Sequence, residues 1–185
     1  MNLSSRFALG PIVVLAGSLV VAGCHKQYPD EKSAVTNSLS TNNLNAVSVS
    51  QDRDKGVITL TGNVASSDMK NQAESLTKQA APDYTVADEI GVQPPGDQSQ
   101  AKAVASDLDS AIEDNFKATL KAHKNLDDQS IHGSAKNGTL VLKGSVKTVQ
   151  QKKEAEHLAK QVPNVQQVVN ELEVKPNKHS TAATS

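Results

Sequence analysis

Few side chains in this chain could do chemistry. Cys24 is the sole cysteine, so its thiol has no intramolecular disulfide partner. In an oxidising compartment such a thiol is a liability unless something occupies it covalently. His123, His132 and His157 show no i, i+4 pair and no accompanying cysteine or carboxylate cluster, so they read as surface histidines and no metal is expected. No glycine-rich phosphate loop, serine elbow or paired-carboxylate arrangement occurs, so no catalytic residue, no cofactor and no enzymatic activity are expected. The lysines do carry a signal. Residues 115–160 hold nine lysines against four acids, whereas residues 33–94 hold four bases against seven acids. Lys143, Lys147, Lys152 and Lys153 are the candidate contacts for anionic lipid, with about 1 kcal/mol available per lysine at a charged membrane surface. Lysines at a helix start also oppose the helix dipole, which favours a functional reason for them over simple solvation.

The elements around Cys24 explain its chemistry. Arg6 precedes an apolar run over 7–22 that carries Gly10-Pro11 and Gly17-Ser18. A positive segment followed by a short apolar one is an export signal, and the run is too short and too broken for a spanning helix. It ends Leu19-Val20-Val21-Ala22-Gly23-Cys24, which resembles the lipobox of bacterial lipoproteins. That resemblance implies cleavage after Gly23 and a diacylglycerol thioether on Cys24, with several acyl chains anchoring the mature chain. His25 is not the aspartate associated with inner-membrane retention, so the periplasmic face of the outer membrane is the expected location.

Removing the first 23 residues leaves 162, enough for one ordinary domain or two small ones. There is no tryptophan, and Tyr28, Tyr84 and Phe116 are the only aromatics left, so the core must be mainly aliphatic and no aromatic platform for glycan or nucleic acid exists. The net charge of −1 gives no electrostatic reason for nucleic acid as a partner.

An ungapped internal repeat sets the architecture. Gly56-Val57-Ile58-Thr59-Leu60-Thr61-Gly62-Asn63-Val64 returns 82 residues later as Gly138-Thr139-Leu140-Val141-Leu142-Lys143-Gly144-Ser145-Val146, and the offset then holds as far as Pro94 and Pro176. Alternation of Ile58, Leu60 and Val64 (Leu140, Leu142 and Val146) predicts a half-buried strand in each copy. Lys55-Gly56 and Asn137-Gly138 predict hairpins to earlier strands over 46–51 and 129–135. Met69, Ala73, Leu76 and Ala80, then Ala155, Leu158 and Val162, predict amphipathic helices, closed by Pro82 and Pro163. Thr148 and Gln151 have capping-box spacing, and so do Asp97 and Gln100. Last strands are expected over 85–92 and 165–174. Val104, Leu108, Ile112, Phe116 and Leu120 form an apolar stripe on a long helix before the second copy, while its counterpart over 33–44 is rich in Asn, Ser and Thr and should be weaker. Gly62 and Gly144 are expected where a Cβ will not fit.

The fold expected is α+β, two tandem αββαβ units, each a three-stranded mixed sheet covered on one face by two helices. The boundaries are a signal peptide over 1–23, a tether over 24–32, units over 33–94 and 101–176, a linker over 95–100 and a polar tail over 177–185. The Gly-Xaa-Ile/Leu-Xaa-Leu-Xaa-Gly-Xaa-Val stretch of both copies, with the ending Val162-Pro163-Asn164-Val165-Gln166-Gln167-Val168-Val169-Asn170, resembles the BON domain of bacterial envelope proteins. The first copy departs from that ending at Pro82-Asp83-Tyr84-Thr85-Val86-Ala87-Asp88. The resemblance implies a noncatalytic role in envelope maintenance or osmotic stress through attachment to membrane phospholipid. The alternative is an adaptor or chaperone-like module with an envelope protein as its partner.

Overall fold

A computed structural model describes residues 27–93, 96 and 98–175. The signal peptide, Cys24, Pro94, Pro95, Asp97 and the tail lie outside them, as does the expected cap at Asp97.

The first unit runs α1 (Lys32–Thr41), β1 (Val47–Asp52), β2 (Val57–Val64), α2 (Ser67–Ala80) and β3 (Thr85–Val92). The second runs α3 (Gln98–Ala122), β4 (Ser130–Lys136), β5 (Thr139–Val146), α4 (Val149–Ala159), β6 (Gln167–Asn170) and β7 (Glu173–Val174). In each, an antiparallel hairpin is joined by a parallel third strand, which pairs on the far side of the central strand. The expected α+β fold of two repeated units is therefore the fold observed.

Local chemistry accounts for the punctuation. Asn137 and Gly138 both have positive φ, 48° and 82°, which a two-residue type I′ hairpin demands. Ser66 caps α2 by accepting from the Met69 N–H at 3.3 Å. Thr148 and Gln151 form the full capping box at α4. Gly62 and Gly144 have φ of 125° and 117°, and a Cβ there would overlap the carbonyl oxygens of Ala46 and Ser130 on the neighbouring strand. The close backbone approach expected from the sequence is what these glycines permit.

Each unit has its own core. In the first, Val35, Leu39, Ile58, Leu60, Ala73, Val86 and Ile90 pack between helices and sheet. In the second, Ile112, Phe116, Leu120, Leu140, Leu142, Ala155 and Leu158 do so, and Phe116 lies over Gly133, where a side chain would collide with its ring. The stripe on α3 is only half used: Ile112, Phe116 and Leu120 are buried, whereas Val104 and Leu108 are 59% and 43% exposed. Helix length explains this. At 25 residues α3 spans about 37 Å, while seven-residue β4 spans about 23 Å. The first half of the helix therefore runs past its own sheet and flanks the first unit, lining clefts of about 500 Å³ with Ile90, Val92 and Asn63.

Two boundaries move. Tyr28 exchanges hydrogen bonds with Arg53, and its ring packs 5.2 Å from that of Tyr84, so the last residues of the expected tether belong to the first unit. The third strand is longer in the copy that departs from the family ending: β3 pairs with β2 over eight residues, whereas β6 stops at Asn170 and resumes as β7.

Candidate functional site

The two sheets meet through their helix-free faces. Val57 and Ala87 of the first pack on Val141 and Val169 of the second. Polar contacts complete this seam. The Gln167 side chain accepts from the Asp88 N–H and donates to the Val86 carbonyl, both at 2.9 Å, and the Thr139 hydroxyl donates to the Asp88 carbonyl. Asn137 donates to the Glu89 carbonyl at 2.8 Å, and Lys55 pairs with Glu171 at 2.9 Å. The hydrogen bond to Glu171 raises the Lys55 pKa, while burial pushes the carboxyls of Asp88 and Glu89 above the usual carboxylate range. With the sheets face to face, the two helix layers point outward on opposite sides of the molecule.

The four candidate lysines do not form one patch. Lys143 extends from the helix-free face of the second sheet, within electrostatic reach of Glu89. Lys147 is tied to Asp128 at 2.6 Å, and that hydrogen bond holds the Asp128 carboxyl below its ordinary value. Lys152 donates to the Leu172 carbonyl at 2.6 Å and is half-buried. Its repeat partner Lys70 donates to the Ile90 carbonyl at 2.9 Å, so this lysine fixes the end of the third strand in both units. Lys153 alone of the four lies exposed on the helix layer with no hydrogen bond or salt bridge among the described residues.

The same layer carries three further lysines of the 115–160 excess. Lys117 and Lys121 on α3, and Lys124 just after it, are exposed and make no salt bridge or side-chain hydrogen bond among the described residues. Lys117 and Lys121 have the i, i+4 spacing that sets two side chains on one side of α3, and this was the signal that could have found them, while Lys124 lies in the turn that follows the helix. Lys153 lies exposed on α4, the other helix of this layer. Of the histidines, His132 is exposed, His123 bonds to the Thr119 carbonyl at 2.8 Å and His157 to Gln161 at 3.0 Å. No group of three or more potential metal-ligating side chains occurs among the described residues.

The sequence profile described as the BON domain matches residues 32–94 and 108–176. No curated protein matches the chain. Among solved structures the chain is similar to CdsD, a structural protein of the type III secretion system of Chlamydia trachomatis, at 13% identity and a TM-score of 0.34, over 81% of this chain and 94% of that one. A structure of the C-terminal domain of CdsD is similar at 14% identity and a TM-score of 0.32, over 80% of this chain and 98% of that one.

Proposed function

The chain belongs to the BON-domain family, with two copies in tandem, and on that premise we propose that it is a noncatalytic lipoprotein of the cell envelope that binds anionic phospholipid through the helix layer of its second unit. One observation supports this most: Lys117, Lys121, Lys124 and Lys153, all carried by the second unit's helix layer or the turn that follows α3, are exposed and make no salt bridge or side-chain hydrogen bond among the described residues. Unpaired ammonium groups lose no internal contact when they approach phosphate, whereas Lys147 and Lys152 would have to give up partners. The lipobox-like segment ending in Cys24 supplies the anchor in this reading, and the outer membrane is its setting. Lipidation would hold the units close to headgroups, so that weak contacts of about 1 kcal/mol per lysine suffice.

Cosedimentation of the unlipidated 25–185 chain with vesicles tests the proposal. Binding to phosphatidylglycerol vesicles that weakens as salt rises, with none to phosphatidylcholine, is the expected result. Equal binding to both lipids, or to neither, would overturn it. An adaptor for an envelope protein is the second reading, favoured by a cleft of about 250 Å³ that Val168 and Asn170 of β6 line together with Val57 and Thr85 of the first unit.

A further inference from the structure

The two halves of the seam are related by the repeat, yet they are finished differently. In β3 the odd-numbered residues face β2, as the Thr85 N–H to Gly56 carbonyl bond of 2.8 Å shows, so the backbone groups of Val86, Asp88 and Ile90 point to the outer edge. In β6 the Glu171 N–H bonds to the Leu142 carbonyl at 2.9 Å, so those of Val168, Asn170 and Leu172 point outward in the same way. The third position is closed alike in both units. Ile90 donates to Asp88 and accepts from Lys70, just as Leu172 donates to Asn170 and accepts from Lys152.

The first two positions differ. On β3 they are met by the amide of Gln167 and the hydroxyl of Thr139. The residues 82 positions earlier, Thr85 and Val57, have no amide to offer, and the outward backbone groups of Val168 and Asn170 make no hydrogen bond among the described residues. In front of them lies a cleft of about 250 Å³ walled by Lys55, Val57, Thr85 and Glu156. A strand edge left unpaired is a template for another backbone.

We propose that the β6 edge binds an extended peptide segment of another protein as an added strand, the residues that lie against the edge being uncharged. The filled half of the seam shows what such an edge selects: a primary amide, the side-chain equivalent of a peptide group. A second copy of this chain does not fit, because each β6 edge is recessed behind its own Val57 and Thr85, and two recessed edges cannot reach the roughly 4.8 Å spacing of paired strands. The cleft favours small or β-branched neutral side chains, since Lys55 is already neutralised by Glu171 and Glu156 by Lys160.

The test uses the ¹⁵N-labelled 25–185 chain and the peptide acetyl-Lys-Thr-Val-Thr-Val-Lys-amide at about 1 mM, the weak end of specific recognition. The amide signals of Val168 and Asn170 are expected to shift and their hydrogen exchange to slow. The same peptide N-methylated at its four central amides should do neither. Thr85→Gln, which copies Gln167 at the equivalent position, should protect the Asn170 amide without peptide and then lower peptide affinity at least tenfold. No response at Val168 and Asn170, binding that survives N-methylation, or unchanged affinity once Thr85→Gln protects Asn170 would each overturn the proposal.

Discussion

Gln167→Ala should loosen the seam while leaving both cores intact. The side chain makes two 2.9 Å hydrogen bonds to the outer edge of β3, and no other described group bonds the Asp88 N–H or the Val86 carbonyl on that side. A net hydrogen bond is worth about 1 kcal/mol, and stranding a partly buried partner raises the cost, so removing both should cost about 2–4 kcal/mol. Native-state hydrogen exchange reads this residue by residue. If opening of the seam controls exchange at Asp88, the lower figure corresponds to about 30-fold faster exchange at its amide. The Ile90 amide, held by the Asp88 carboxyl inside the first unit, should change far less. Unchanged exchange at Asp88, or an equal acceleration at Asp88, Ile90 and the core amides of both units, would refute a seam that rests on Gln167.

Gly144→Ala should cost more than about 3 kcal/mol in urea unfolding, because a φ of 117° is strained for alanine and its Cβ meets the Ser130 carbonyl; a loss under about 1 kcal/mol would contradict the close approach. Burial raises the Asp88 pKa, so the folded chain takes up this proton before the unfolded chain does, and the Asp88 contribution to stability grows as pH falls through the folded pKa toward the ordinary value of about 3.9. Asp88→Asn should remove that acid-side gain and stabilise the chain at neutral pH, since Asn170 already fills the equivalent place in the second unit; a carboxyl titration midpoint for Asp88 below the ordinary range would refute this. Cys24→Ser should accumulate as uncleaved precursor in cells, and incorporation of labelled palmitate into that variant would contradict lipidation at Cys24.

Much of the fold was legible because the repeat constrains it twice. The alternation at Ile58, Leu60 and Leu140, Leu142 showed the strands, Asn137-Gly138 the hairpin, and Thr148 with Gln151 the helix start, since each is a local device whose partners lie within a few residues. The lysine contacts were not legible for the opposite reason. Lys152 is fixed by a carbonyl 20 residues away, and Lys147 by an acid 19 residues earlier, so sequence clustering around the α4 start did not report a shared surface. The seam was beyond reach too: Gln167 bonds to backbone 79 and 81 residues away, and nothing in a lone glutamine announces that. The exposure of Val104 and Leu108 follows from α3 outlasting β4, which periodicity alone does not reveal.

Vesicle affinity of a quadruple variant tests the central claim most directly. Lys117, Lys121, Lys124 and Lys153 are changed together to Gln, beside a control that changes Lys143 and Lys147, and partition of each 25–185 chain onto phosphatidylglycerol vesicles is measured at low salt. At up to about 1 kcal/mol per lysine, the quadruple variant should bind two to three orders of magnitude more weakly than the unmodified chain, with unchanged melting. The control should lose little, because Lys143 lies on the opposite sheet face and Lys147 is bound to Asp128. Equal affinity of the quadruple variant and the unmodified chain, or a loss as large in the control, would contradict a lipid-binding surface on this helix layer.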